Sequence, residues 1–262
     1  MSDTVKRETI DGIGIITLNR PEKRNAINGE MLEGMRKAFQ ELSSDSGARV
    51  ILLQGAGPAF SGGIDFNHLA TVARDDGRPP GVRLREEVDW IHSILNRIER
   101  LEKPVVAKIH GFCGGLALEL ALAADFRIAS EDATLGVPEI ILGIIPDCGG
   151  TTRLTRILGP ARAKELIMTG DMIPARRAYE IGLIHQVFPR DALEENTRAF
   201  LEKLCQRPAL ALGLAKRAID WGVGLDKMTH MEIEMYVQSL LVTAKDFPQT
   251  VQKGIAALLK KK

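Results

Sequence analysis

Apolar residues bracket a polar run from Val5 to Ile10 and dominate from Ile13 to Leu18, and Asp11-Gly12 between them is a turn pair that joins two antiparallel strands. Asn19-Arg20-Pro21 ends the second strand. The spacing then lengthens to that of a helix, with Met31, Leu32, Met35 and Phe39 on one face, an N-cap at Asn28 and an end near Leu42. The run from Arg49 to Gln54 predicts a buried strand, stopped by Gly55-Ala56-Gly57-Pro58. Val88, Ile91, Leu95, Ile98 and Leu101 mark a helix that ends before Pro104, and a further buried strand runs from Val105 to Ile109. From Pro160 onward the pattern is helical, with segments at 162–168, 175–181, 191–205, 210–221, 226–245 and 250–259 parted by Gly, Pro or short polar links. An α/β core over 1–190 followed by a helical region over 191–262 is expected. The methionines of the later segments, Met168, Met172, Met228, Met231 and Met235, are expected in the core or at subunit contacts.

One stretch departs from simple patterning. Between Gly111 and Arg156 two carboxylates, Glu119 and Glu139, stand in apolar surroundings, where a lone carboxylate is costly to ionise. Glu119 lies early in a short helix that starts after Gly114-Gly115, where unpaired N–H groups and the helix dipole favour an anion, so it is expected to stay charged. Glu139 follows the rigid turn Gly136-Val137-Pro138, which leaves a short strand from Ala133 to Leu135. Two such carboxylates can share a water or a substrate proton, one as acid and the other as base. The plainer alternative has each bonded to a backbone N–H or paired with Arg127 or Arg153. Asp147 has two readings of similar weight: a third carboxylate in the pocket, or the N-cap of a helix opening near Gly149-Gly150-Thr151.

Charge and cysteine content narrow the field. With 35 basic and 34 acidic residues among 262, the formal charge is +1, and nothing points to nucleic acid or an anionic membrane. No apolar run reaches membrane-spanning length, and no leader peptide is evident. Cys113, Cys148 and Cys205 have neither metal-ligand spacing nor the number a disulfide framework needs, which suggests a reducing cytoplasm. The five histidines form no cluster, so no metal site is expected, and His110 at a strand end reads as a structural hydrogen-bonder. Ser61 lies outside any GxSxG elbow, which argues against a serine hydrolase.

LNRPEKRNAIN from Leu18, AFSGGIDF from Ala59, GFCGG and ELALAAD within 111–125, and PEIILGIIP with GGTTRLTR within 138–156 resemble, in order and spacing, the crotonase superfamily of enoyl-CoA hydratases and isomerases. The resemblance implies a spiral of ββα units with a C-terminal helical trimerisation region. It further implies an acyl-CoA thioester as substrate, coenzyme A being part of that substrate and no separate cofactor, and a homo-oligomer of three or six subunits. By resemblance the backbone N–H groups of Ile64 and Leu116 hold the thioester oxygen, although many members have Gly where Leu116 stands. Lys23 and Ala26 would lie along the nucleotide end of coenzyme A, and Gly62, Gly63, Asp65 and Phe66 along its adenine. Glu119 and Glu139, 20 residues apart, match the hydratase pattern. Asp147 matches an acid of dienoyl-CoA isomerases, so hydration of a 2,3 double bond and double-bond isomerisation are both implied. A non-catalytic binder of acyl-CoA or RNA is the remote third reading. The Pro/Gly loop at 75–81 would tune acyl chain length, and the basic tail at 260–262 is expected to be solvated.

Overall fold

The computed structural model describes residues 3–72 and 77–259, so Asp75, Asp76 and the three-lysine tail lie outside the described residues. The first strands, β1 (Val5–Ile10) and β2 (Ile13–Leu18), pair antiparallel. α1 (Gly29–Ser44) follows, capped by Asn28, whose Oδ1 accepts from Met31 N at 2.9 Å. That cap satisfies one of the orphan N–H groups of a helix start. β3 (Val50–Gly55), α2 (Phe66–Val72), α3 (Pro80–Arg100) and β4 (Val105–Ile109) come next, and β2, β3 and β4 pair in parallel.

From here each pass of the chain lays one strand in a large sheet and one short extended piece in a second layer. β5 (Phe112–Gly114) leads into α4 (Leu116–Leu122), and β6 (Phe126–Ser130) is followed by β7 (Thr134–Gly136). The kinked α5 (Gly150–Thr169), β8 (Ile173–Pro174), α6 (Ala175–Glu180) and β9 (Gln186–Phe188) complete this part. The large sheet runs β1-β2-β3-β4-β6-β9 and the small one β5-β7-β8. Two isolated parallel bridges, Ile27 with Ile64 and Ser61 with Cys113, carry the small layer back to the earlier passes. This is the repeating spiral expected from the sequence. α5 is two helices joined end to end: Gly159 (φ 76°, ψ 164°) is not helical, and the second helix opens at Pro160, where the missing N–H of proline costs no bond.

The pleat separates two cores. Ile51, Leu53, Ala107 and Ile109 point to the inside with Phe39, Phe60 and Leu118, whereas Val50, Leu52, Val106 and Ile128 point to the opposite face. That face is covered by Leu193 and Leu201 of α7 (Leu193–Cys205). α8 (Ala209–Gly222) is tied to the core by Lys216, whose Nζ donates to Asp125 Oδ2 at 2.8 Å and Ile98 O at 3.1 Å. α9 (Lys227–Val242) and α10 (Phe247–Leu259) are different: of their residues only Val237 is buried. Met168, Met228, Met231 and Met235 are exposed and so are not core residues of the chain. No helix among the described residues is long and apolar enough to cross a membrane.

Candidate active site

The ends of the second-layer segments bring two backbone donors side by side. Gly115 (φ 59°, ψ −131°) turns the chain out of β5 and caps α4, so Leu116 is the first helical residue and its N–H has no partner within the helix. Positive φ outside glycine occurs only at Asp11, Arg24 and Asn25 among the described residues, so Leu116 supplies its donor from ordinary backbone. Ser61 bridges Cys113, which sets Ile64 level with Leu116 three residues on. A Cβ placed on Gly63 would lie 3.6 Å from the Leu116 nitrogen. Neither Ile64 N–H nor Leu116 N–H donates to a backbone acceptor among the described residues.

A buried polar knot holds the Ile64 strand end. Arg24 and Asn25 both adopt left-handed backbone (φ 50° and 55°), a conformation that Asn tolerates better than most residues. The Asn25 amide donates to the carbonyls of Ala56 and Ala59 and accepts from Arg20 N, all at 2.8–2.9 Å. Ser61 Oγ donates to Asn25 O at 2.7 Å and accepts from Gly63 N. Ser61 is thus a brace for the turn, in keeping with the reading that it is no nucleophile. His110 likewise bonds the Gly57 carbonyl at 3.0 Å.

The carboxyl groups converge from three segments. Glu119, in α4, is 2 % exposed, and its Oε1 accepts from Gly150 N at 2.7 Å. Burial and the neighbouring charge of Glu139 push its pKa up to about 8. The expectation that α4 keeps Glu119 charged is corrected here: the carboxyl meets the start of α5, not the N–H groups of its own helix, and desolvation outweighs that single bond. Glu139 sits on a 3₁₀ turn (Pro138–Leu142) and its pKa is raised, first by burial. Its Oε2 is buried without a hydrogen-bond partner, and a Cβ on Gly115 would stand 3.0 Å from its Oε1. Glu139 is therefore packed against the residue that precedes the Leu116 donor. Arg127 is spent on the carbonyls of Leu183, Ala121 and Ala124, and Arg153 pairs with Glu99, so neither neutralises the glutamates by direct contact.

Asp147 does not cap α5. The N-cap is Gly149 with no side-chain bond, while Asp147 Oδ1 faces the thiol of Cys148 at 3.6 Å and its charge raises the pKa of both Glu119 and Glu139. Its backbone is held instead, the carbonyl lying 2.8 Å from His92 Nε2.

The chain matches the enoyl-CoA hydratase/isomerase family over residues 8–262. It belongs to that family. A short-chain-enoyl-CoA hydratase of Clostridium acetobutylicum is 35% identical over 223 residues, 85% of this chain and 83% of its own length. A 1,2-epoxyphenylacetyl-CoA isomerase of Escherichia coli is 32% identical over 252 residues, 96% of this chain and 93% of its own. The solved enoyl-CoA hydratase of Bacillus anthracis superposes with a TM-score of 0.89 at 34% identity, covering 99% of this chain and 97% of that one. The chain is an enzyme of this family, and an acyl-CoA thioester is the substrate class the family implies.

Lys23, Ala26, Gly62, Gly63, Asp65 and Phe66 lie on the turn after β2 and on the segment running into α2. Lys23 and Arg24 are exposed on the turn after β2. Gly62 N donates to Arg24 O at 2.7 Å, and Arg20 ties Ala26 to Asp65 by donating to the Ala26 carbonyl and to Asp65 Oδ2 at 3.0 Å. Phe66 is 70 % exposed, a large apolar ring presented to solvent beside Asp65. A cavity of about 190 Å³ between α1 and β1 lies apart from all of these and from both glutamates. Sequence reasoning missed Asn25, Gly150, His92 and the Arg20 tie. A readable signal existed for one neighbour alone: Arg153 in the first turn of a helix opposes the helix dipole and so demands an acidic partner.

Proposed function

We propose that the protein adds water across the 2,3 double bond of an enoyl-CoA thioester, with Ile64 and Leu116 N–H holding the thioester oxygen and Glu119 and Glu139 working as an acid/base pair. The observation that carries this reading is the buried, unpartnered Oε2 of Glu139 beside the Leu116 donor. A buried carboxyl oxygen without a partner costs about 1–3 kcal/mol, a cost that a bound water or substrate would offset. Because burial raises the proton affinity of both glutamates and the charge of Glu139 raises that of Glu119 further, the pair favours one proton and one charge at neutral pH. Water bonded to both then attacks Cβ and passes a proton to the ionised carboxylate of the pair as negative charge builds on the thioester oxygen. The two N–H groups stabilise that charge, each donor contributing about 3–4 kcal/mol. The carboxyl of the pair that already holds the shared proton delivers it to Cα, which completes the addition of one water. Lys23 and Arg24 would meet phosphates, and the backbone of Gly62, Gly63, Asp65 and Phe66, with Ala26, would line the nucleotide.

A second reading, double-bond isomerisation with Asp147 as an acid, rests on its charge acting on both glutamates while its side chain leaves α5 uncapped. Products formed from crotonyl-CoA and from a 3,5-dienoyl-CoA in water enriched in heavy oxygen separate the two. Label uptake with a gain of one water is expected; conversion of the diene without label or mass change would make the protein an isomerase. The exposed apolar residues of α9 and α10 support a homo-oligomer, the further copies covering Met231, Met235, Ile255 and Leu258. Free Cys113, Cys148 and Cys205 suit a reducing, cytoplasmic setting.

A further inference from the structure

Arg153 stands in the first turn of α5, the end of a helix that disfavours a cation, and only 7 % of it is exposed. Its partners explain why it stays. Toward α3, Nε donates to Glu99 Oε1 at 2.7 Å, and Nη2 donates to Glu99 Oε2 and to Asn96 Oδ1, both at 3.1 Å. Toward its own loop, Nη1 donates to the Cys148 carbonyl at 3.0 Å. The guanidinium also fills the space a side chain on Gly149 would need, and Gly149 has φ 102°, so only glycine fits there. The next residue, Gly150, gives its N–H to Glu119. The chain of contact thus runs from α3 through Arg153 and the loop to the carboxyl at the centre of the site.

We propose that Arg153 is a positioning residue: locked to α3 by Glu99 and Asn96, it fixes the turn from Cys148 to Gly150 so that the Gly150 N–H meets Glu119 in the orientation the reaction needs. The proposal rests on the reading that Glu119 takes part in enoyl-thioester chemistry. The titratable and charged groups that face Glu119 are Glu139 from the turn after β7, Asp147 and Cys148 from the loop, and Arg153 from α5; α3 adds Glu99 behind Arg153, and His92 against the Asp147 backbone. Arg153 is the cation of this set that favours the ionised form of Glu119. Its loss removes that attraction and frees the N–H donor together, and both changes favour the protonated carboxyl.

The test uses the full chain with Arg153→Met, and with Glu99→Ala as a second variant, which leaves Arg153 its bonds to Asn96 and to the Cys148 carbonyl. Two quantities are read against pH: kcat and KM on crotonyl-CoA, and the infrared carboxyl band that disappears in Glu119→Gln. Arg153→Met is expected to lose about 10- to 100-fold in kcat with KM nearly unchanged, as for a misplaced catalytic group. Its carboxyl band is expected to titrate at higher pH than in the wild type, and Glu99→Ala is expected to move the same way by less. A folded Arg153→Met whose band titrates as in the wild type would overturn the proposal; should that variant not fold, an unmoved band in Glu99→Ala would do the same. The infrared titration needs no turnover, so a wild type inactive on every enoyl thioester would sink the functional reading and still leave the clamp judged on its own result.

Discussion

Glu119 and Met231 occupy surroundings that each side chain would ordinarily avoid. The carboxyl of Glu119 is 2 % exposed within an aliphatic core, while Met231 on α9 is 49 % exposed, with Met235 and Tyr236 beside it more exposed still. The first mismatch is held in place from within: α4 is buried along its whole length and α5 gives Glu119 only one N–H. A rigid core can keep a carboxyl dry at a cost in stability, and the cost is useful where a proton must be shifted near neutral pH. The second mismatch has no internal remedy, since α9 and α10 bury a single residue between them. In the proposed homo-oligomer, an apolar surface of that kind is relieved from outside, by another copy of the chain. One region is therefore satisfied within the chain, and the other waits on the proposed assembly.

The sharpest way to break the first half of that contrast is Glu139→Gln, which keeps size and hydrogen bonding and removes the titrating group. A loss of about 10²- to 10⁴-fold in kcat is expected, the usual worth of a general acid or base. Coenzyme A ester binding, followed by calorimetry, should persist. Retained hydration would remove Glu139 from the mechanism.

Leu116→Pro comes next. Leu116 is the first residue of α4, where proline is tolerated because the N–H has no helical partner in any case. The substitution deletes the donor and leaves the helix, so a fall of about 10²- to 10³-fold in kcat is expected. An unchanged rate in a folded variant would show that the thioester oxygen is held elsewhere.

What the sequence disclosed follows the range of the interactions involved. The β1–β2 hairpin and the Asn28 cap of α1 depend on residues a few positions apart, and both are where the local signals put them. The pairing of Ile64 with Leu116 came from resemblance; the Ser61–Cys113 bridge gives its physical basis. The bond from Gly150 to Glu119 spans 31 residues, and no local rule reveals it. That is why the α4 dipole was credited with an ion it does not hold. Asp147 looked equally suited to capping and to the pocket because both uses share one local pattern; the conformation of Gly149, which takes the cap position itself, decides against capping. The methionines of α9 carry a helical apolar spacing that is identical whether a core or a subunit covers them.

The outer half of the contrast is tested by placing charge on α9. Met231→Glu together with Met235→Glu should lower the mass seen by sedimentation and reduce activity by roughly tenfold at dilute protein, with recovery at higher concentration as mass action predicts. A variant that keeps the wild-type mass would show that α9 faces solvent in the assembly.

The last effect is thermodynamic, and its sign follows from the raised pKa of Glu119. In the unfolded chain this carboxyl titrates near 4.5, and in the folded protein at about 8. Between those values the folded state holds a proton that the unfolded state has released, so stability falls as pH rises through the window and is fully reduced above about 8. Glu119→Gln removes the titration, and its amide oxygen can still accept from Gly150 N. The variant should unfold with the wild type near pH 4.5 and at a higher temperature near pH 8, by up to about 5 kcal/mol, since each pKa unit between 4.5 and about 8 is worth about 1.4 kcal/mol. The gain should grow across that interval while activity is lost. Equal melting temperatures at both pH values would mean that Glu119 is solvated as an ordinary carboxylate, and the inversion between the buried acid and the exposed methionines would then reduce to the methionines alone.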